Sequence, residues 1–345
     1  YRAQFVEPLA VRLTDSTVYN LPPPTQGLST LMILGLFDRL GVSEGEGFAH
    51  LHGLVEATKR AFRVRERVVT DPGRVPGDPR AFLAPAALAD LASDIDPARA
   101  LPWPEPTKPG DTIWMGCIDA QGRAVSFIQS VYWEFGSGTV ADGTGVCWQN
   151  RGTSFSLDPA ALNTLEPGRK PFHTLNPSLA LFDDGRVMPL GTMGGEGQPQ
   201  TQAAVFTRYA RFGQTLQQAV SAPRWLLGRT WGDVSTTLKL ESRFEPGLVR
   251  ALADALFDLH HHPRRERALR GRQDGVSGGG HADPSAQFGT AGARLPGLAA
   301  ATARSASATK SNWAITSSSA TRGWPMIQPM AWAAGPGPKK GLTRR

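Results

Sequence analysis

The 345-residue chain is 40% hydrophobic and 19% charged, enough apolar material for one large core or two modest ones. Its formal charge of +7 is unevenly placed: residues 263–345 carry 13 Lys and Arg against 3 Asp and Glu, and the rest carries 24 against 27. A mildly acidic body makes no case for a specific nucleic-acid partner, no apolar run is long enough for a membrane span, and Cys117 and Cys147 alone make neither a disulfide scaffold nor a four-thiolate zinc site.

In chain order, residues 1–20 are predicted to be extended, ending at Asn20-Leu21-Pro22-Pro23-Pro24, where three prolines forbid a helix. Apolar residues at Leu28, Leu31, Met32, Leu34 and Leu40 predict a helix from Thr25 that Gly41 closes. A second helix is predicted from about 46 to 68. His50, Leu51, Leu54, Ala57 and Phe62 form its buried stripe, and Arg60, Arg63, Arg65 and Arg67 its solvated side. A Pro-, Asp- and Gly-rich connector follows to residue 110, with one short helix near 85–92. Strand-like runs at 112–119 and 124–132, and again at 178–182 and 187–191, predict two hairpins separated by a Gly-rich stretch at 135–152. Helices are predicted at 198–212, after Thr215, and at 246–259 with Pro246 in the first turn; a strand is predicted at 234–241. Hairpins followed by helices, without regular βαβ alternation, point to an α+β layered domain.

Patterning stops at Leu259. Ala, Gly, Ser and Thr fill 42 of the 83 positions from 263 to 345, which predicts a disordered, basic, low-complexity tail. A break this abrupt near His260-His261-His262 is what a shift of reading frame leaves. The chain starts at Tyr1 rather than Met, so it reads as processed or as a piece of a longer one. Its compartment stays open between the cytoplasm, which is preferred, and the periplasm.

The histidines exclude the commonest chemistry. His50 and His52 point to different helix faces, His173 stands alone, and none has metal-ligand spacing, so no metal or cofactor is implied. Thr112 is different. It stands after Gly110-Asp111, where the irregular connector meets the first strand of a hairpin. A hydroxyl is a poor nucleophile without a base nearby, and an N-terminal threonine uses its own α-amine as that base. Cleavage between Asp111 and Thr112 would create that amine and leave pieces of 111 and 234 residues. The ordinary alternative is a β-branched residue that merely begins a strand. Gly194 and Gly195, between a strand and the helix predicted from 198, would suit two backbone amides aimed at a developing oxyanion, although a plain tight turn reads the same.

Taken in order, Asn20-Leu21-Pro22-Pro23-Pro24, Gly110-Asp111-Thr112, Asp119 with Gly122, Phe135-Gly136-Ser137-Gly138, Gly143-Thr144-Gly145, Asn176-Pro177, Gly194-Gly195, Phe212-Gly213 and Ala222-Pro223-Arg224 resemble the gamma-glutamyltranspeptidase family of N-terminal-nucleophile hydrolases. The resemblance runs from Tyr19 to about Glu241 and does not extend past about residue 260. It implies a four-layer αββα sandwich, here incomplete, and a precursor that cuts itself before Thr112. The expected pieces are a C-terminal part of a large subunit (1–111) and a small-subunit region (112–262), paired as a heterodimer. By the same resemblance Thr112 is the nucleophile, Gly194 and Gly195 the oxyanion donors, and Ser130 the hydroxyl supporting the nucleophile.

At the substrate positions the chain departs from transpeptidases. Tyr132 stands in place of an Asn, Ser154 in place of an acidic residue, Arg151 beside it, and His173-Thr174 in place of paired serines. Loss of the carboxylate removes the partner of an α-ammonium group, and Arg151 offers a fork for a carboxylate instead. These residues resemble the oxamate amidohydrolase branch. The implied substrate is the amide of a small anionic acyl compound, with water or an amine as acceptor. Two rival expectations are a glutathione-type γ-glutamyl transferase or hydrolase, and an inactive fragment whose basic tail binds acidic partners.

Overall fold

The computed structural model describes residues 3–105, 111–133, 135–228 and 235–262, so the predicted tail at 263–345 lies outside the described residues. The extended start resolves into β1 (Leu9–Arg12) and β2 (Ser16–Asn20), an antiparallel hairpin. After the prolines comes α1 (Gly27–Arg39), in which Leu28, Leu31, Met32, Ile33, Leu34 and Leu36 are fully buried. A helix apolar around its whole girth is one enclosed on all sides. The helix α2 (Phe48–Val68) packs along it, and the short α3 (Pro85–Ser93) covers another side.

The solvated arginine side predicted for α2 is corrected. Of its four arginines only Arg67 is exposed, and Arg65 is 3% exposed. Arg65 is buried because it has partners: its guanidinium donates to Gln26 Oε1 at 3.2 Å and to Glu196 Oε2 at 2.7 Å. Periodicity registers where apolar side chains fall, but not that a charged one has found a buried counter-charge.

Next, β3 (Asp111–Ile118) and β4 (Ala124–Tyr132) form the predicted hairpin. Asp119 closes its turn, accepting at 2.9 Å from the amides of Gln121 and Arg123, with Gly122 at φ 81°. The glycine-rich stretch holds a minimal hairpin, β5 (Val140–Ala141) and β6 (Val146–Cys147). The second long hairpin, β7 (Ser178–Phe182) and β8 (Val187–Leu190), completes an antiparallel sheet in the order β1-β2-β7-β8. Strands from both sides of the 111/112 junction therefore share one sheet. Trp114 docks the β3–β4 ribbon against β8; a Cβ on Gly191 would sit 2.1 Å from its indole, so only glycine fits there.

The helix predicted at 198–212 is α4 (Gln198–Phe206), continued as a π-helical turn over Thr207–Arg211. A capping box between Thr215 and Gln218 starts α5 (Leu216–Ser221). Three further elements correct the boundaries read from the sequence. A buried strand, β9 (Trp225–Leu227), was not predicted, being too short to show alternation. It pairs with β10 (Leu238–Glu241). The last helix, α6 (Pro246–Asp254), stops before 259, and β11 (Leu259–His262) runs parallel to β10, so the backbone stays regular past Leu259. Helices α1, α2 and α4 pack on one another beside the four-stranded sheet, giving sheets flanked by helices in an αββα-like arrangement.

His50, buried on α2, belongs to this scaffold. Its Nδ1 accepts the Glu46 amide at 3.0 Å, so the proton sits on Nε2, 3.0 Å from Thr207 Oγ1. Burial pushes its pKa down to about 4, with Arg208 acting the same way and Glu46 opposing. The unfolded chain takes up this proton near pH 6.5 and the native state only near 4, so the stabilisation is present above 6.5 and lost between those values. The thermal midpoint is expected to fall on acidification through this window, by up to about 3 kcal/mol of stability. His50→Gln should flatten that limb in a pH series of melting curves.

Candidate active site

Thr112 lies at an irregularity in the β3–β4 ladder. Asp111 pairs with Tyr132 and Ile113 with Gln129, so two residues, Ser130 and Val131, face the single Thr112. That is a bulge, a device that re-aims side chains at the end of a ladder. Ser130 Oγ accepts the Tyr132 amide at 2.8 Å, and Tyr132 takes a positive φ of 83°. A bulky side chain in that region is a strained one, held by its surroundings.

What holds it is Arg151. Its guanidinium lies 3.6 Å from the centroid of the Tyr132 ring, and one nitrogen, Nη2, donates to Thr174 Oγ1 at 3.1 Å. Arg151 is 2% exposed, and among the described residues its Nε and Nη1 have no hydrogen-bond partner. Burial lowers its pKa to about 10, opposed by Tyr132 and Glu196, so it stays charged at neutral pH. Ser154 Oγ is likewise buried without a hydrogen-bond partner among the described residues.

His173 sits beside this cation. Burial first, and the Arg151 charge second, push its pKa down to about 3. Its Nδ1 accepts the Leu175 amide at 3.3 Å. A neutral imidazole with so low a pKa is a poor general base at physiological pH.

The glycine pair lies just before α4, whose first residue reaches Thr112. Gly194 and Gly195 both have positive φ, 105° and 51°, and Gln198, the first residue of α4, brings Nε2 to 3.5 Å from Thr112 Oγ1. Gln26 closes the circuit, its Nε2 donating to Gly195 O at 2.8 Å and Thr174 O at 2.7 Å. The contacts thus form a ring: Thr112, Gln198, the glycine turn, Gln26, Thr174, Arg151, Tyr132, and back through Asp111. Every expected site residue except Ser154 is in that ring or directly beside it; Ser154 ends the short 3-10 turn that begins at Arg151. Among the described residues no cluster of three or more His, Cys, Asp or Glu could hold a metal ion.

Sequence reasoning missed Gln26, Arg65, Glu196 and Gln198. One signal was available: Gln198, Gln200 and Gln202 are three glutamines in five residues opening a helix, and all are buried. Buried amides need designated partners.

The αββα-like arrangement fits the N-terminal-nucleophile hydrolase class, and the chain belongs to the gamma-glutamyltranspeptidase family, whose model matches residues 1–286. The chain is 53% identical over 259 residues to an oxamate amidohydrolase proenzyme from Klebsiella pneumoniae subsp. pneumoniae, covering 75% of this chain and 49% of that protein. It is 40% identical to the glutathione hydrolase-like YwrD proenzyme of Bacillus subtilis, over 74% of this chain and 49% of the relative. A cephalosporin acylase structure from Bacillus halodurans superposes with a TM-score of 0.68 at 33% identity, over 76% of this chain and 47% of that one. The chain spans about half the length of the curated relatives it matches.

Proposed function

We propose that this chain is the catalytic part of a self-processing amidohydrolase acting on the amide of a small anionic acyl compound, of the oxamate kind. The observation that carries the substrate class is the buried Arg151 guanidinium, stacked on Tyr132 and with two nitrogens that have no hydrogen-bond partner among the described residues. A desolvated cation costs several kcal/mol unless an anion meets it, and a carboxylate can accept a charge-assisted hydrogen bond from Nε or Nη1.

In the first step Thr112 Oγ attacks the Asp111 carbonyl, and water then releases the Asp111 carboxylate and the Thr112 amine. In turnover the amine takes the Oγ proton as oxygen attacks the substrate amide. Gly194 and Gly195 amides receive the oxyanion, and the protonated amine gives its proton to the departing ammonia. Water then frees the acyl group from Thr112. Large and small pieces stay together through the shared sheet.

The rival is a γ-glutamyl donor, favoured by the name of the Bacillus subtilis relative. Its α-ammonium group needs a carboxylate. Glu196, which adjoins the ring at the glycine turn, is engaged by Arg65. Hydrolysis of oxamate and of a γ-glutamyl anilide should be compared on the same preparation. The proposal expects kcat/KM on the order of 100-fold higher for the small anionic amide, the scale of one hydrogen bond to a charged group. A preference for the anilide would sink it.

A further inference from the structure

We propose that Gln26 and Arg65 form a brace that fixes the oxyanion turn, and are positioning residues for the reaction; this inference rests on the function proposed above. Two consecutive glycines with φ of 105° and 51° form the least constrained stretch of backbone a chain can offer. Oxyanion donors work because they are pre-aimed. Something outside the turn must therefore supply the rigidity.

Half of it is local. The Gly197 amide donates to Gly194 O at 2.8 Å, which fixes the peptide plane whose N–H belongs to Gly195. The next plane, whose N–H belongs to Glu196 and which anchors the far side of the turn, is held from a distance. Gly195 O accepts from Gln26 Nε2 at 2.8 Å, and the same nitrogen holds Thr174 O at 2.7 Å. Both protons of the carboxamide are thereby used on two separate segments of the ring.

A carboxamide can rotate by half a turn, which would present its oxygen to both carbonyls. Arg65 forbids that. Its Nη1 donates to Gln26 Oε1 at 3.2 Å, and Nη2 holds Glu196 Oε2, one residue past the glycine pair, at 2.7 Å. One guanidinium thus locks the amide orientation and grips the turn. Gln26, Arg65 and Glu196 are all buried, so water cannot substitute for any of these bonds. Both brace residues precede the Asp111–Thr112 bond and the turn follows it, so after cleavage the brace joins two polypeptides.

The test uses Gln26→Glu, which keeps shape and the Arg65 contact but loses both donated protons. Gln26→Met, an apolar isostere, covers the case in which a buried charge prevents folding. Purified full-length chain and both variants are assayed for self-cleavage and for kcat and KM on the anionic amide, with melting curves to correct for the folded fraction. Each folded variant is expected to lose about 30- to 100-fold in kcat, less than outright removal of an oxyanion donor, with KM changed under threefold. A purely structural role would lower the melting midpoint and leave kcat per folded molecule unchanged. A folded variant whose kcat is within threefold of the unsubstituted chain overturns the brace alone. An unsubstituted chain that neither cleaves nor turns over overturns the proposed function, and the brace with it.

Discussion

Thr112→Ala is expected to remain one intact 345-residue chain on prolonged incubation and to show no amidase turnover. The unsubstituted chain should yield a new N-terminus at Thr112 and pieces of 111 and 234 residues. Both losses share one cause, because in the proposed mechanism the same oxygen performs the self-cleavage and the later attack. Removing the attacking atom costs on the order of 10⁴-fold or more in comparable triad enzymes. The bulge shows why this threonine differs from its strand neighbours: the ladder is regular from Ile113 onward and irregular only at Thr112. Thr112→Ser is the control. It retains the oxygen but loses the methyl that restricts χ1, so it should cleave and turn over several-fold more slowly. Intact-mass measurement and N-terminal sequencing read both outcomes. Cleavage at the same bond in Thr112→Ala would assign the attack to another group.

The hairpins, the helices and the ordered motifs were legible in the sequence because each depends on local rules. Asp119 with Gly122 signals a turn, and the structure uses Asp119 as the acceptor that closes it. Asn20 and Asn176 turn out to be scaffold. Asn20 Nδ2 donates to Asn176 Oδ1 and to Ser178 Oγ, Asn176 Nδ2 to Thr30 Oγ1 at 2.6 Å, and Ser178 Oγ to Gln202 Oε1 at 2.6 Å. This buried network ties β2, β7, α1 and α4 together behind the site. Its members have no periodic signature, since a polar side chain is buried through partners far along the chain rather than through its place on a face. Arg65 was misread for the same reason: its partner Glu196 lies 131 residues away. Gln200 likewise bonds both backbone groups of Leu227 in β9, an element too short to predict.

Arg151→Met is expected to move activity and stability in opposite directions. Against the anionic amide, kcat/KM should fall by roughly 10²- to 5 × 10³-fold, corresponding to the 3–5 kcal/mol lost when one partner of a buried charge pair is removed. The melting midpoint of the ligand-free protein should hold or rise. Nothing among the described residues accepts from Nε or Nη1, so the folded protein bears the desolvation of a cation without its full compensation. An unbranched apolar side chain of similar length removes that burden and keeps contact with the Tyr132 ring. Arg151→Lys separates charge from shape: it keeps the cation but not the fork, so about a tenfold loss is expected. A neutral amide of matched size supplies the last control, since its turnover does not depend on a counter-charge and should change little in either variant. Were Arg151 only a strut for Tyr132, both amides would lose turnover together and the melting midpoint would drop. A cation that costs stability where a hydrophobic side chain would fit is what the proposed anionic substrate requires, since only the bound anion would compensate it.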